Sequence, residues 1–308
     1  MSIHVFGAVI TAQGVAANNR GETEGNITTL QKLLWKGQVH TTVSAEAIRW
    51  AIRYYWQMKG LEVNRQWKDE KEDHEWRDES WKGWAGEDSE TFIDDDLLGY
   101  MKAEGGKAEG EKGHADKRRG VLEIARAISI NPFAGDITFN SKSGEKGRTS
   151  LYGTEVHATR YQYGFALTPQ RLRVKERALS AIDAIANLGE VAGNHSRFLF
   201  DFSPESIVLR LTHDPAPRLL YCFQENEAGD ISAQDLARRL EAGDIEPSEL
   251  YIGGTLASEA NIKRFDTIHL FPGIKSAMDQ FKQALQGELK NIKGSTDSND
   301  SKDSEKTP

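Results

Sequence analysis

Along the chain the spacing of apolar positions switches between a period of two and a period near 3.6, and the switches place the elements. Residues 3–10 form an almost continuous apolar run, the pattern of a buried strand. A β-branched run at Thr41, Thr42 and Val43 stops at Ser44, and a helical pattern starts at once, over about 45–58. Ser44 suits the N-cap and Glu46 the positive end of the helix dipole, although Ala47 leaves the capping box incomplete. Ile48, Ala51, Ile52 and Tyr55 fall on a core-facing stripe, while Arg49, Arg53 and Trp56 fall on another face. Two guanidinium groups one turn apart, beside an aromatic ring, suit successive phosphates of a nucleic-acid strand. The same spacing also describes an ordinary solvated arginine face.

An acidic, tryptophan-rich stretch follows at 61–92, and residues 103–117 read as a flexible, glycine-rich link. Val121, Ile124, Ala125 and Ile128 predict a helix that Asn131-Pro132 ends. Between 136 and 158, β-prone ends flank a polar centre at 141–148, the pattern of a protruding hairpin. A strand over 160–167 leads past Pro169 to a helix with Ala178, Leu179, Ile182, Ile185 and Ala186 facing inward. Strands are expected at 197–202, 206–212 and 219–223, then a helix near 232–241, a turn at Gly253-Gly254 and a helix near 274–292. Residues 294–308 hold no large apolar side chain and read as a disordered tail. The order describes one α+β domain over 1–293, compatible with a ferredoxin-like or RNA-recognition-motif sheet among other α+β folds.

At 308 residues, 38% hydrophobic and 28% charged, the chain can bury a full core. No apolar run approaches a membrane span, and MSIHVFGAVI lacks the basic and apolar regions of a signal peptide, so a cytoplasmic protein is expected. One cysteine, Cys222, excludes a disulfide framework and suits core filling. The net charge of −8 is unevenly spread. Residues 61–116 carry 18 Asp/Glu against 8 Lys/Arg, and residues 117–218 carry 15 Lys/Arg against 10 Asp/Glu. A basic groove on an acidic protein is therefore allowed.

Asp94, Asp95 and Asp96 are the main candidate for metal-dependent phosphodiester chemistry, set against a simpler part in capping the following helix. No second acidic motif pairs with them. Gly105–Gly110 lacks the Lys and Ser/Thr of a phosphate loop, and the eight histidines are scattered, so neither cofactor nor metal site is expected. The turn Gly189-Glu-Val-Ala-Gly-Asn-His-Ser-Arg197 is a better ligand candidate. Its glycines allow close approach of a phosphate, and Asn194, His195 and Arg197 supply donors. Asn18, Asn19, Arg20 and Asn26 in the polar loop at 11–29 offer similar chemistry, or simply fill a turn.

Val43-Ser-Ala-Glu-Ala-Ile-Arg-Trp-Ala-Ile-Arg53, with Phe92-Ile-Asp-Asp-Asp-Leu-Leu-Gly-Tyr-Met101, resembles the DevR-type backbone subunit of type I, I-B-like CRISPR Cascade complexes. The loop at 14–29, residues 118–129, His157–Tyr163 and Val191–Arg197 fit in the same order, so the resemblance spans about 3–255. It implies a modified RNA-recognition-motif palm, a fingers insertion at about 59–117 and a thumb hairpin at about 136–158. It also implies a non-enzymatic protein that stacks with further copies of itself and other Cascade subunits along a guide RNA (crRNA). Base pairing of the guide would then recruit target DNA. On this resemblance Asn18, Asn19, Arg20, Asn26, Ser44, Arg49, Arg53, Asn194, His195 and Arg197 hold the guide, and Lys142, Lys146 and Arg148 contact the strand or the next copy. In related type III subunits an acidic loop residue cleaves RNA; here the loop offers Glu22 and Glu24, and a metal-dependent ribonuclease using these or Asp94–Asp96 is the alternative. A scaffold that binds no nucleic acid is a third reading.

Overall fold

A computed structural model of the chain describes residues 2–18, 23–79, 91–104, 114–142 and 150–300. It is an α+β protein organised around a nine-stranded sheet. The apolar run becomes strand His4–Thr11 at the sheet's centre, antiparallel to Tyr161–Leu167 on one side and to Pro204–Thr212 on the other. Beyond Tyr161–Leu167 lie Ala127–Ser129, Gln38–Val43 and the edge strand Lys32–Trp35, and beyond Pro204–Thr212 lie Leu250–Gly254 and His269–Phe271.

Alternation sends Val5 and Val9 into one core and Phe6, Ala8 and Ile10 into another, so the sheet is covered on both faces. The first core holds helices Ala45–Met58, Arg177–Ala186 and Ile274–Asp300, through Ile48, Ile52, Ile182, Ile185 and Phe281. The second is closed by helix Gln234–Glu241 and the 219–223 segment, where Cys222 is buried. Burial pushes the Cys222 thiol up to about 12, as suits core filling. Gly7 is required at the centre, because a Cβ there would lie 2.1 Å from the Phe165 ring.

Four expected elements differ, the first being the turn expected at Gly253-Gly254, where both glycines are instead paired in strand Leu250–Gly254. Residues 118–129 form no helix: Leu122–Ile124 and Ala127–Ser129 are short strands that both pair with Tyr161–Leu167. The open backbone edge of that strand outweighs a local helical period, and Leu122, Ala127 and Ile128 bury as strand residues. Residues 219–223 run as a turn, with Arg218 and Tyr221 at positive φ, and Gln162 exchanges hydrogen bonds with the Phe223 backbone. Residues 197–202 are also irregular, although Phe200 and Phe202 are buried. The last helix continues to Asp300, into the segment expected to lack structure.

The insertion after the first helix contains the hairpin Arg65–Lys68/Asp73–Trp76, helix Ile93–Leu98 and the ribbon Gly99–Glu104/His114–Arg119. That ribbon occupies the ends of the expected flexible link. The second hairpin, Ile137–Lys142/Ser150–Thr159, lies where 136–158 predicts one. The polar loop at 11–29 is more ordered than expected, since Gly14–Ala17 and Ile27–Thr28 both pair with Ser150–Thr159.

Candidate nucleic-acid interface

A cleft of about 570 Å³ opens where the first helix begins. Ser44 stands at its mouth as the N-cap, its Oγ accepting from the Ala47 amide at 3.1 Å, and Ala47 and Trp50 extend that wall. Asn18 and Gln31 contribute from the chain before the helix, and Tyr161 from the central sheet. The opposite wall is the first hairpin of the insertion, through Trp67, Glu72, Asp73 and His74. Phe198, Phe200 and Phe202 close the third side together with Val191–Gly193.

The aromatic wall is a connected unit. Trp50 stacks on Tyr54 at 5.2 Å and meets Trp67 edge-on at 5.6 Å, while its Nε1 donates to His74 Nε2 at 3.1 Å. Burial first, and then Arg65 and Arg53, push His74 down to about 4, so its imidazole is neutral at pH 7 and accepts that bond. Gln57 fastens the hairpin from the helix, donating to the Trp67 carbonyl at 2.9 Å and accepting from the Trp67 amide at 2.8 Å.

Under the cleft floor, Thr41 Oγ1 is 2.8 Å from the Tyr161 hydroxyl and 2.7 Å from His157 Nδ1. This buried chain ties the sheet to the second hairpin through the His157–Tyr163 segment. Burial lowers the His157 pKa, keeping its ring neutral. Arg160 in the same segment pairs with Glu205 at 2.7 Å and with Glu225.

The structure separates the residues expected to bind RNA. Asn18 and Ser44 line the cleft, and Asn18 Nδ2 donates to the Thr29 carbonyl at 3.2 Å. The Asn194 amide donates to Ala17 O at 2.9 Å, and the Asn194 carbonyl starts the turn that carries Arg197 and Phe198. His195 has both ring nitrogens shielded and without a hydrogen-bond partner. Arg197 is exposed, donates to the Tyr152 hydroxyl and lies over the Tyr152 ring at 5.4 Å. Asn26 sits apart, on the second hairpin, where its Nδ2 donates to Leu151 O at 3.4 Å. Lys142 ends a strand of that hairpin. Asn19, Arg20, Glu22, Lys146 and Arg148 lie outside the described residues.

Arg49 and Arg53 do not line this cleft. Arg49 donates to the Leu98 carbonyl, and Arg53 pairs with Asp94 at 3.1 Å, so the insertion packs over the face expected to meet phosphates. Trp56, expected beside them at the surface, is fully buried and donates to Ser180 O. Asp94, Asp95 and Asp96 make internal bonds but do not cap their helix, whose N-cap is Phe92, without a side-chain bond. Asp94 accepts from the amides of Asn64 and Arg65 as well as from Arg53. Asp96 accepts from the amides of Arg173 and Val174 and from Arg177 and Arg118.

Arg126 was not foreseen. It is exposed, and its Nη1 donates to Thr42 Oγ1 at 3.2 Å and Gln31 Oε1 at 3.3 Å, both on residues that line the cleft. Arg126 therefore stands at the margin of a cleft whose described lining contains aromatic and carboxylate groups but no lysine or arginine, while Arg197 precedes the lining Phe198 in the chain and turns to Tyr152 on the second hairpin. Among the described residues no three His, Cys, Asp or Glu side chains come together to hold a metal ion, and no helix is long and apolar enough to cross a membrane.

Known proteins place this architecture. A "CRISPR-associated protein Cas7/Cst2/DevR" from Myxococcus xanthus (strain DK1622) is 54% identical over 265 residues, 82% of this chain and 87% of that protein. Two solved chains from CRISPR RNA-guided surveillance complexes, one in a pre-nicking state, share the fold. The pre-nicking chain has a TM-score of 0.56 at 11% identity, covering 92% of this chain and all of that one. The other has a TM-score of 0.54 at 14% identity, covering 91% and 99%. The family described as "CRISPR-associated negative auto-regulator DevR/Csa2" matches residues 6–228, and with the 54% identical relative it shows that this CRISPR-associated chain belongs to the DevR/Csa2 family.

Proposed function

We propose that the protein is the guide-binding backbone subunit of a CRISPR surveillance complex. It holds crRNA across the cleft and assembles with further copies and other subunits along the guide. The observation that carries this reading is the aromatic cleft at the start of the first helix, with exposed Arg126 bonded to two of its lining residues and exposed Arg197 next in the chain to its lining Phe198. Exposed arginines suit phosphates, and Trp50, Trp67 and Phe198 offer faces to unstacked bases of any sequence. Because both faces of the sheet are covered, RNA is held at the sheet's end rather than across its surface.

The sheet order supports reading the body as a ferredoxin-like palm. Strands 204–212, 4–11, 161–167 and 127–129 stand side by side, with the helices at 45–58 and 177–186 in one core. The insertion then serves as fingers and the Ile137–Lys142/Ser150–Thr159 hairpin as thumb. The burial of Asp94–Asp96 in structural bonds supports a non-enzymatic role, with target DNA recruited through guide pairing alone.

Replacing Arg126 and Arg197 by Ala tests the interface. Affinity for single-stranded RNA should fall about equally across sequences, and the log–log salt slope should become shallower by roughly 0.7 per lost phosphate contact. Unchanged affinity and slope would place the RNA elsewhere.

A further inference from the structure

Besides the bonds of Gln57 and Trp50 to it, the hairpin that forms one wall of the cleft is tied to the body at its base by Asn64. Asn64 has no exposed surface, and each of its polar atoms is engaged. Its amide donates to Asp94 Oδ1 at 2.7 Å, and its Nδ2 donates to Asp95 Oδ2 at 2.9 Å and to the Asp78 carbonyl at 3.2 Å. Its Oδ1 accepts from the Asp78 amide at 2.8 Å, and its carbonyl accepts from the Arg77 amide at 2.9 Å. Residue 64 enters the hairpin and residues 77–78 leave it. Asn64 thus ties both ends of the hairpin to each other and to the helix Ile93–Leu98.

We infer that Asn64 is a positioning residue for the cleft, locking the Trp67–His74 wall against the first helix through Asp94 and Asp95. The side chain touches no cleft atom, and its effect passes through the hairpin it anchors. Both acceptors are buried, with Asp94 at 1% and Asp95 at 5% exposure, so a loosened Asn64 cannot be replaced cheaply by water. Asp94 also holds Arg53, and Gln57 grips Trp67 from the same helix, so loss of Asn64 should shift the wall without releasing it. A displaced wall changes the Trp50–Trp67–His74 contacts, and these set the width of the cleft.

The inference rests on the cleft being the RNA interface, and the test separates the two. Asn64→Asp keeps size but removes both Nδ2 donations and adds a carboxylate beside Asp94 and Asp95. Asn64→Ser provides a milder variant that retains a hydroxyl. Hydrogen exchange of the 65–76 amides, without RNA, should speed up in both while the central strands stay protected. Binding of a single-stranded RNA of mixed sequence should weaken about tenfold in Asn64→Asp at unchanged saturating stoichiometry. The double variant Asn64→Asp/Asp95→Asn restores a donor facing an acceptor and should recover much of that loss. A merely structural role would lower the competent fraction and leave the affinity of the remainder unchanged, which overturns the inference. Faster exchange with wild-type affinity also overturns it. Wild-type protein that binds no RNA would instead sink the functional reading on which the inference rests.

Discussion

Asp95→Asn should make the protein more stable at pH 8 and should leave it nearly unchanged near pH 4. Asp95 is buried, and its carboxyl is raised from 3.8 to about 7, first by burial and second by the neighbouring Asp94 charge. Asn64 and Arg53 oppose this shift and Asp78 adds to it. A raised acid favours the protonated folded state, so its share of stability is complete below the unfolded value and is lost as pH rises towards 7. A shift of about 3 units at 1.36 kcal/mol each caps the loss at ~4 kcal/mol, and relaxation around the pair brings the expected figure to about 2–3 kcal/mol. Asparagine stays neutral and can still accept from Asn64 Nδ2. Urea unfolding followed by circular dichroism should show a variant-minus-wild-type difference that grows between pH 5 and pH 8. Taking the difference cancels His74, whose lowered pKa removes stability in the opposite direction, as pH falls from 6.5 to about 4. A difference that is flat with pH, or a variant less stable at both ends, would refute the reasoning.

Arg53→Ala leaves the Asp94 carboxylate buried with only backbone partners, and should cost about 2–4 kcal/mol in urea unfolding. Asp96→Asn removes the charge paired with Arg118 and Arg177 and turns one of two accepting oxygens into a donor facing donors, and should lower stability by about 3 kcal/mol, read as an earlier unfolding midpoint. Tyr161→Phe takes one partner from Thr41 beneath the cleft and should cost about 1 kcal/mol, with RNA affinity falling less than in the Arg126/Arg197 double variant.

Much of the fold is legible locally. The strand at 4–11, the Ser44 cap and the Ile48/Ile52 stripe follow from period and capping chemistry, because those residues meet the core they were patterned for. Residues 118–129 and 219–223 mislead for one physical reason: their conformation is set by backbone partners at 161–167 and by Gln162, far away in sequence. The site is less legible. Spacing shows that Arg49 and Arg53 leave the core stripe, but not that an insertion forty residues on covers them with Leu98 and Asp94. The cleft draws its walls from residues near 18, 44, 67–74 and 198–202, and no local pattern joins these. Arg126 was hidden by the helix expected around it, whereas a strand break turns it outward beside Thr42.

The central claim is that the chain holds a guide strand and multiplies along it. Light scattering after size exclusion, with single-stranded RNAs of increasing length and no other subunit, measures this directly. The account predicts complexes whose mass rises with RNA length by whole protein copies. A protein that elutes at one mass whatever RNA is added, with no nucleic-acid absorbance in its peak, would contradict it.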